Sequence, residues 1–422
     1  MNMKHWLSIV LLISSLNCNL CDKRLERLVS DPDENRTPCE MIESRNFKCD
    51  THWAKTADGY IIAIHRVINP ILKAAKKPTI RPVVVQHGLI GSTLHWVIGS
   101  AGGFAADWTN GKPNVDLNVE GRNLPYLLAN YGYDVWMPNS RGNQFSQNHT
   151  FLDPEKDSDF WKFSFDEMII YDSPAVIDYI LRKTGYKKLD WIGVSQGAMI
   201  MFGLLAEKPE YSAKINLFYG LAPAVFLGNM ASQLKSIAKV PGLLKIATLI
   251  KAEFAIPRSV LDPVVDQFCG ELGGRNICQS VFEFLIGKNP NALNSSRLLV
   301  YIKQGINPTS FWNLVHYGSS AATGKFAKFD YGWLENLARY GSINPPEYKL
   351  SAINLKNIVI MSSDNDILVS PKDVQILKKA VKVPIIEYRV KDKNFTHGDF
   401  CIASNVYEMV NVHIVRHLRQ SS

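Results

Sequence analysis

The chain has 422 residues, 46% of them hydrophobic and 20% charged, with a formal charge of +8. That balance excludes a disordered or fibrous protein, and so modest a charge, with no run of five like charges, gives no footprint for a nucleic-acid partner. The length accommodates several domains or one large α/β unit that carries an insertion.

In chain order, Lys4 precedes an apolar segment from Trp6 to Leu16. This segment is too short to span a bilayer and has the length of a signal-peptide core, so residues 1–21 read as a signal peptide cleaved near Cys18 to Cys21. No later apolar run reaches spanning length without a charge or a proline, so an exported protein with no transmembrane segment is expected, secreted or lysosomal. Export admits disulfides. Cys269 and Cys278, either side of Gly270 to Gly274, are the first candidate pair, Cys39 with Cys49 is a second, and Cys401 is left over. Sequons at Asn35, Asn148, Asn294 and Asn394 are candidate glycosylation sites, whereas Asn307 is followed by proline.

Apolar runs of strand length occur at Tyr60 to Val67, Val83 to Gln86, Tyr133 to Met137, Leu189 to Gly193, Ile215 to Tyr219, Ile358 to Met361 and Ile385 to Val390. Helical periodicity fills several of the gaps. Asp172-Ser173-Pro174 reads as a cap with proline in the first turn, followed by Val176, Ile177, Ile180 and Leu181 on one face and a stop at Gly185. The alternation predicts an α/β fold, a mostly parallel sheet with helices on both faces. Residues 226–346 break the rhythm and read as an inserted, mainly helical cap or lid. The core is then split into 22–225 and 347–422.

Within this frame, Gly193-Val194-Ser195-Gln196-Gly197 follows a strand-like run and precedes a helical one. A serine nucleophile on a strained strand-to-helix turn needs that context, and small neighbours allow it. In this architecture an acid and then a histidine follow the serine. Four histidines lie after Ser195. His316 falls in the insertion, and His413 and His417 share a helix face without a third ligand, which gives no metal site. His397, in the turn-like Asn394-Phe395-Thr396-His397-Gly398-Asp399, is the candidate base. Met361-Ser362-Ser363-Asp364-Asn365-Asp366 offers two carboxylates after a strand. Asp366 is chosen as the acid, with Asp364 as the alternative, while Asp373 reads as an early helix charge and Asp399 as too close to His397. Gln86-His87-Gly88-Leu89, at the end of another strand, would bring backbone amides to the nucleophile, and the N–H groups of Leu89 and Gln196 are the candidate oxyanion donors. His87 reads as a prop for that loop.

The chain resembles the acid lipase family of the α/β-hydrolases, which includes the lysosomal and gastric lipases and the lipase 3-like proteins of insects. The resemblance runs through CDTHWAKTADGYIIAIHRV from Cys49, VQHGLIGS from Val85, YDVWMPNSRGNQFSQNH from Tyr133, FWKFSFDEMIIYDSPAVIDYIL from Phe160, GKFAKFDYG from Gly324, NDILVSPKDV from Asn365 and THGDF from Thr396. It implies a nucleophile at Ser195, an acid at Asp366, a histidine at His397 and oxyanion amides on Leu89 and Gln196. It also implies a helical cap with a mobile lid and a cap disulfide matching Cys269 and Cys278. Two features depart from the family pattern: Val194 stands where a histidine is usual, and Gly99 to Gly121 is longer, with no obvious secondary structure.

The expected chemistry is ester hydrolysis through an acyl-enzyme, without metal or organic cofactor. Fatty-acid esters at a lipid–water interface are the expected substrates, triacylglycerol first and sterol esters next. Leu234 to Ile250 is a candidate part of the lid. A short-chain carboxylesterase and a non-catalytic lipid carrier on the same fold are the competing readings.

Overall fold

The computed structural model of the protein describes residues 31–109, 112–231, 235, 249–250, 252–269, 272–290 and 292–420. The expected signal peptide lies outside these residues, as does most of the candidate lid segment 234–250.

An eight-stranded sheet forms the centre. Its strands are β1 (Lys48–Lys55), β2 (Ile61–Ile68), β3 (Pro82–Gln86), β4 (Asp134–Pro138), β5 (Leu189–Val194), β6 (Ile215–Leu221), β7 (Ile358–Ser362) and β8 (Ile385–Arg389). They lie in the order β1-β2-β4-β3-β5-β6-β7-β8. Pairs from β4 through β8 run parallel, and β1 and β2 join antiparallel. This is the mostly parallel sheet anticipated from the alternation, in the α/β-hydrolase arrangement that the resemblance implies. Every expected strand is present, and β1 is an addition. Its polar sequence KCDTHWAK alternates in exposure, as an edge strand with one solvated face does.

The longer helices are α1 (Leu124–Asn130), α2 (Ser173–Thr184), α3 (Gln196–Glu207), α4 (Arg258–Cys269), α5 (Leu272–Ile286), α6 (Leu298–Gly305), α7 (Phe311–Thr323), α8 (Trp333–Tyr340), α9 (Pro371–Ala380) and α10 (Val412–Gln420). Strand side chains alternate between faces, so each strand feeds two cores. Val84, Trp136 and Trp191 join Ile177 and Ile180 of α2 and Met201 and Leu205 of α3 in one cluster. Val83, Val85, Val135 and Ile192 join Leu127 of α1 and Ile414 and Leu418 of α10 in the other. With both faces covered, the central strands are buried almost throughout.

Two local expectations are corrected. Asp172 makes no side-chain cap for α2; its own backbone is already helical, because the chain coils from Phe165 through a π turn at Met168–Asp172 directly into α2. The buried carboxylate is taken instead by Arg141. The Gly99 to Gly121 stretch, expected without secondary structure, holds a small antiparallel pair, Trp108–Thr109 with Lys112–Pro113, and a one-turn helix, Leu117–Glu120. Asn123 and Asn130 organise its approach by bonding the carbonyls of Ser100, Gly102 and Phe104.

Residues 226–346 carry α4 to α8. The foot of α6 is fastened to the first described turn of the chain. Arg297 reaches Asp31 at 2.7 Å and Asp33 at 2.8 Å, and Lys303 reaches Glu34 at 2.9 Å, all but Asp31 buried. Two disulfides are formed, Cys39–Cys49 with Cα atoms 5.2 Å apart and Cys269–Cys278 at 5.7 Å. The second bridges the end of α4 to α5. Gly273 and Gly274, expected in a turn, belong to α5, which begins at Leu272.

Candidate active site

Ser195 sits between β5 and α3 with φ 54° and ψ −113°, a conformation that crowds the side chain of any L-residue. Its neighbours permit the turn. A Cβ on Gly193 would stand 2.2 Å from the Gly197 carbonyl oxygen, and one on Gly197 would stand 2.4 Å from that of Gln86. Strain of this kind costs about 1–3 kcal/mol. Hydrogen bonds hold the turn against it: the Ser195 N–H donates to Leu221 O at 2.8 Å, and the indole of Trp191 donates to Gly197 O at 3.1 Å.

The loop after β3 passes beside the serine. A Cβ on Gly88 would lie 3.2 Å from Ser195 Cβ and 3.8 Å from its Oγ. The next residue in that loop is Leu89, and Gln196 opens α3, where first-turn amides have no intrahelical acceptor. Both candidate oxyanion donors therefore come from backbone next to the nucleophile. His87 is buried, with Nδ1 donating to Gly88 O at 2.8 Å and Nε2 accepting from the Ser140 amide at 2.9 Å. Desolvation pushes its pKa down to about 3, so the ring is neutral and braces the loop.

The turn after β7 presents Asp366. Its Oδ2 lies 2.8 Å from His397 Nδ1, and its Oδ1 accepts the amides of Leu368 at 2.9 Å and Val369 at 2.8 Å. An ionised carboxylate only accepts, so Nδ1 carries the proton and Nε2 is left with its lone pair. The acid side chain is 1% exposed and the imidazole 12%, which keeps the pair dry on one side and reachable on the other.

The remaining candidates are placed elsewhere. Asp364 is half exposed and pairs with Arg389 at 3.1 Å. Asp373 accepts the Asn229 amide and side chain at the start of α9. Asp399 accepts the Thr396 amide at 2.7 Å and Asn289 Nδ2 at 2.9 Å, closing the loop that carries His397. His316 lies in α7, bonded to Ser164 Oγ and Ala327 O, and desolvation lowers its pKa to about 3. His417 contacts the Tyr219 hydroxyl and His413 the Tyr388 ring. Among the described residues, no three His, Cys, Asp or Glu groups converge as metal ligands do. Val194 is buried at the end of β5, in the apolar cluster shared with Leu221 and Phe395. Of the sequons, Asn35, Asn148 and Asn394 are exposed and Asn294 is partly so.

Three supports of the site escaped the sequence reading. Arg141, Asp58 and Asp172 form a buried ionic knot, with Arg141 lying 4.0 Å over the Tyr60 ring. Asp166 is buried and Glu167 partly so beneath α7 and its following loop, where Asp166 accepts the Phe329 amide and the Tyr348 hydroxyl. Asn313 of α7 donates to the side chain of Gln196. The SRGN and FSFDEM segments signalled the first two by their specificity. Nothing in the local pattern pointed to Asn313, which is 117 residues from its partner.

Residues 81–223 match the model of the alpha/beta hydrolase fold, and residues 39–100 match that of the partial alpha/beta-hydrolase lipase region. The chain is 34% identical to gastric triacylglycerol lipase of Bos taurus over 93% of both chains. It is 30% identical to lipase member M of Homo sapiens, covering 94% of this chain and 89% of that one. Lipase member K of Homo sapiens is 31% identical over 89% of each chain. The protein is thus an ester hydrolase, and it belongs to the acid lipase family of the α/β-hydrolases.

Proposed function

We propose that the protein is an exported lipase that hydrolyses carboxylic esters of fatty acids through Ser195, His397 and Asp366. The observation that carries this reading is the His397–Asp366 pair. An imidazole is held in one tautomer by a buried carboxylate that two backbone amides themselves orient. With Nδ1 engaged, Nε2 accepts the Ser195 proton as Oγ attacks the ester carbonyl. Negative charge then develops on the carbonyl oxygen, and the N–H groups of Leu89 and Gln196 stabilise it. His397 returns the proton to the departing alcohol. It next activates water, which releases the fatty acid and restores the serine. No cofactor enters this cycle.

Triacylglycerol is the leading substrate, by analogy with the gastric triacylglycerol lipases, and sterol esters follow. A lipid–water interface is a fitting site of action, because α4 and α5 expose Val260, Val264, Ile277, Val281 and Phe284. Such an apolar stripe suits contact with lipid. Two disulfides and exposed sequons support passage through an oxidising export route.

Fluorophosphonate labelling tests the mechanism. The enzyme should be labelled on Ser195, and Ser195→Ala should abolish both labelling and hydrolysis; unlabelled protein, or turnover by the alanine variant, refutes it. Emulsified long-chain triacylglycerol compared with soluble butyrate esters tests the substrate class, and exclusive turnover of short soluble esters makes it a carboxylesterase.

A further inference from the structure

We propose that Asn313, a residue of the insertion, is a positioning residue for the oxyanion hole, acting through the side chain of Gln196. The proposal rests on the assignment of the Gln196 amide as an oxyanion donor.

The side chain of Gln196 is buried at the start of α3. Its Oε1 accepts from Asn313 Nδ2 at 2.9 Å, while its Nε2 has only the soft thioether of Met168, at 3.4 Å. Sulfur is a weak acceptor, so the bond from Asn313 is the main polar restraint on this side chain. Gln196 directly follows the strained residue Ser195, and its N–H points where its own peptide plane dictates. Restraining the side chain restrains that plane, and an oxyanion donor works only when aimed beforehand at the developing charge.

Asn313 is held through its Nδ2, while its buried Oδ1 has no partner among the described residues. It is fully buried, and its second Nδ2 hydrogen goes to Thr309 Oγ1 at 3.2 Å, one turn earlier. Helix α7 is pinned to the core on the same side by Ser310 Oγ, which donates to Trp161 O at 2.5 Å, and by His316 Nδ1 against Ser164 Oγ at 3.1 Å. Asn313 and His316 are three residues apart and share the face turned to the core. One helix of residues 226–346 therefore reaches the start of α3 and sets the geometry of the elbow.

The test uses the full-length enzyme with Asn313→Ala, Gln196→Met and the double variant, assayed on a soluble p-nitrophenyl butyrate. Each single variant should lower kcat roughly tenfold or more, below the ~100- to 1,000-fold cost of losing a donor outright, with KM within about twofold. An alkylboronic acid, which forms the tetrahedral adduct, should lose affinity by a factor similar to kcat. The double variant should be no worse than the poorer single, since both remove one interaction. Singles with kcat within about twofold of the parent, or losses that multiply in the double, overturn the proposal. If Asn313→Ala fails to fold, Gln196→Met decides alone, because it leaves α7 untouched. An enzyme that labels at Ser195 but is indifferent to these changes refutes the positioning role only; an enzyme that does not label refutes the underlying mechanism.

Discussion

The guanidinium of Arg141 and the carboxylate of Asp172 meet at full burial, with Nε at 2.9 Å and Nη2 at 2.6 Å from the same carboxylate oxygen. Arg141 also takes Asp58 through two bonds of 2.7 and 3.1 Å. A single cation thus neutralises two acids from distant parts of the chain, beneath the loop that follows β4. Removing it strands a buried carboxylate, which costs about 3–5 kcal/mol. Arg141→Met should lower unfolding stability by that amount in urea titration. Arg141→Lys should be intermediate, because an ammonium cannot fork to both partners.

Asp366→Asn should leave the fold and KM nearly unchanged and reduce kcat about 1,000- to 10,000-fold, since an amide facing Nδ1 favours the wrong imidazole tautomer. Asp364→Asn should stay within about twofold of the parent enzyme. Steady-state kinetics on one soluble ester distinguishes the two acids, and a large loss from the Asp364 change would transfer the role to it.

Burial raises the pKa of Asp166 to about 6, from 3.8, and that of Glu167 to about 7, from 4.5, with the Asp166 charge adding to the second shift. A carboxyl whose folded pKa is raised binds its proton more readily in the folded state. It therefore stabilises the fold below its unfolded pKa, and that stability is lost as pH climbs through the folded value. Asp166→Asn removes the titrating group while retaining an acceptor for the Tyr348 hydroxyl. From pH 5 to 7.5 the parent should lose on the order of 1–3 kcal/mol relative to this variant. Chemical denaturation at both pH values measures the gap, and a pH-independent gap would contradict the shift.

Gly193→Ala and Gly197→Ala should each prevent accumulation of folded, active enzyme, because the added methyl meets backbone at 2.2 and 2.4 Å rather than a movable side chain. Yield of soluble protein and labelling at Ser195 report the outcome. A well-folded Gly193→Ala enzyme would show that the turn is looser than its geometry implies.

The reach of the sequence depended on how local each signal was. Strands β2 to β7 were legible as apolar runs because they are largely buried, whereas β1 hid behind the polar alternation of an edge. The pairing of Asp366 with His397 was legible because each follows a strand, and because placement in the insertion or on the last helix set aside the other three histidines after Ser195. Asp172 was misread as a cap, since its Ser-Pro neighbours carry that signature and only the fold brings Arg141 to it. Asn313 was silent for a similar reason: its partner is supplied by tertiary packing, and no periodicity records a contact made across more than a hundred residues.

The turn from Asp31 to Glu34, clasped by Arg297 and Lys303, moors the base of α6 to the first described residues of the chain. An opening that swung residues 226–346 as one body would have to break this clasp and also the bonds of α7 to Trp161, Ser164 and Gln196. Removing residues 31–34 would leave Arg297 without either carboxylate it pairs with, though it touches nothing at the serine.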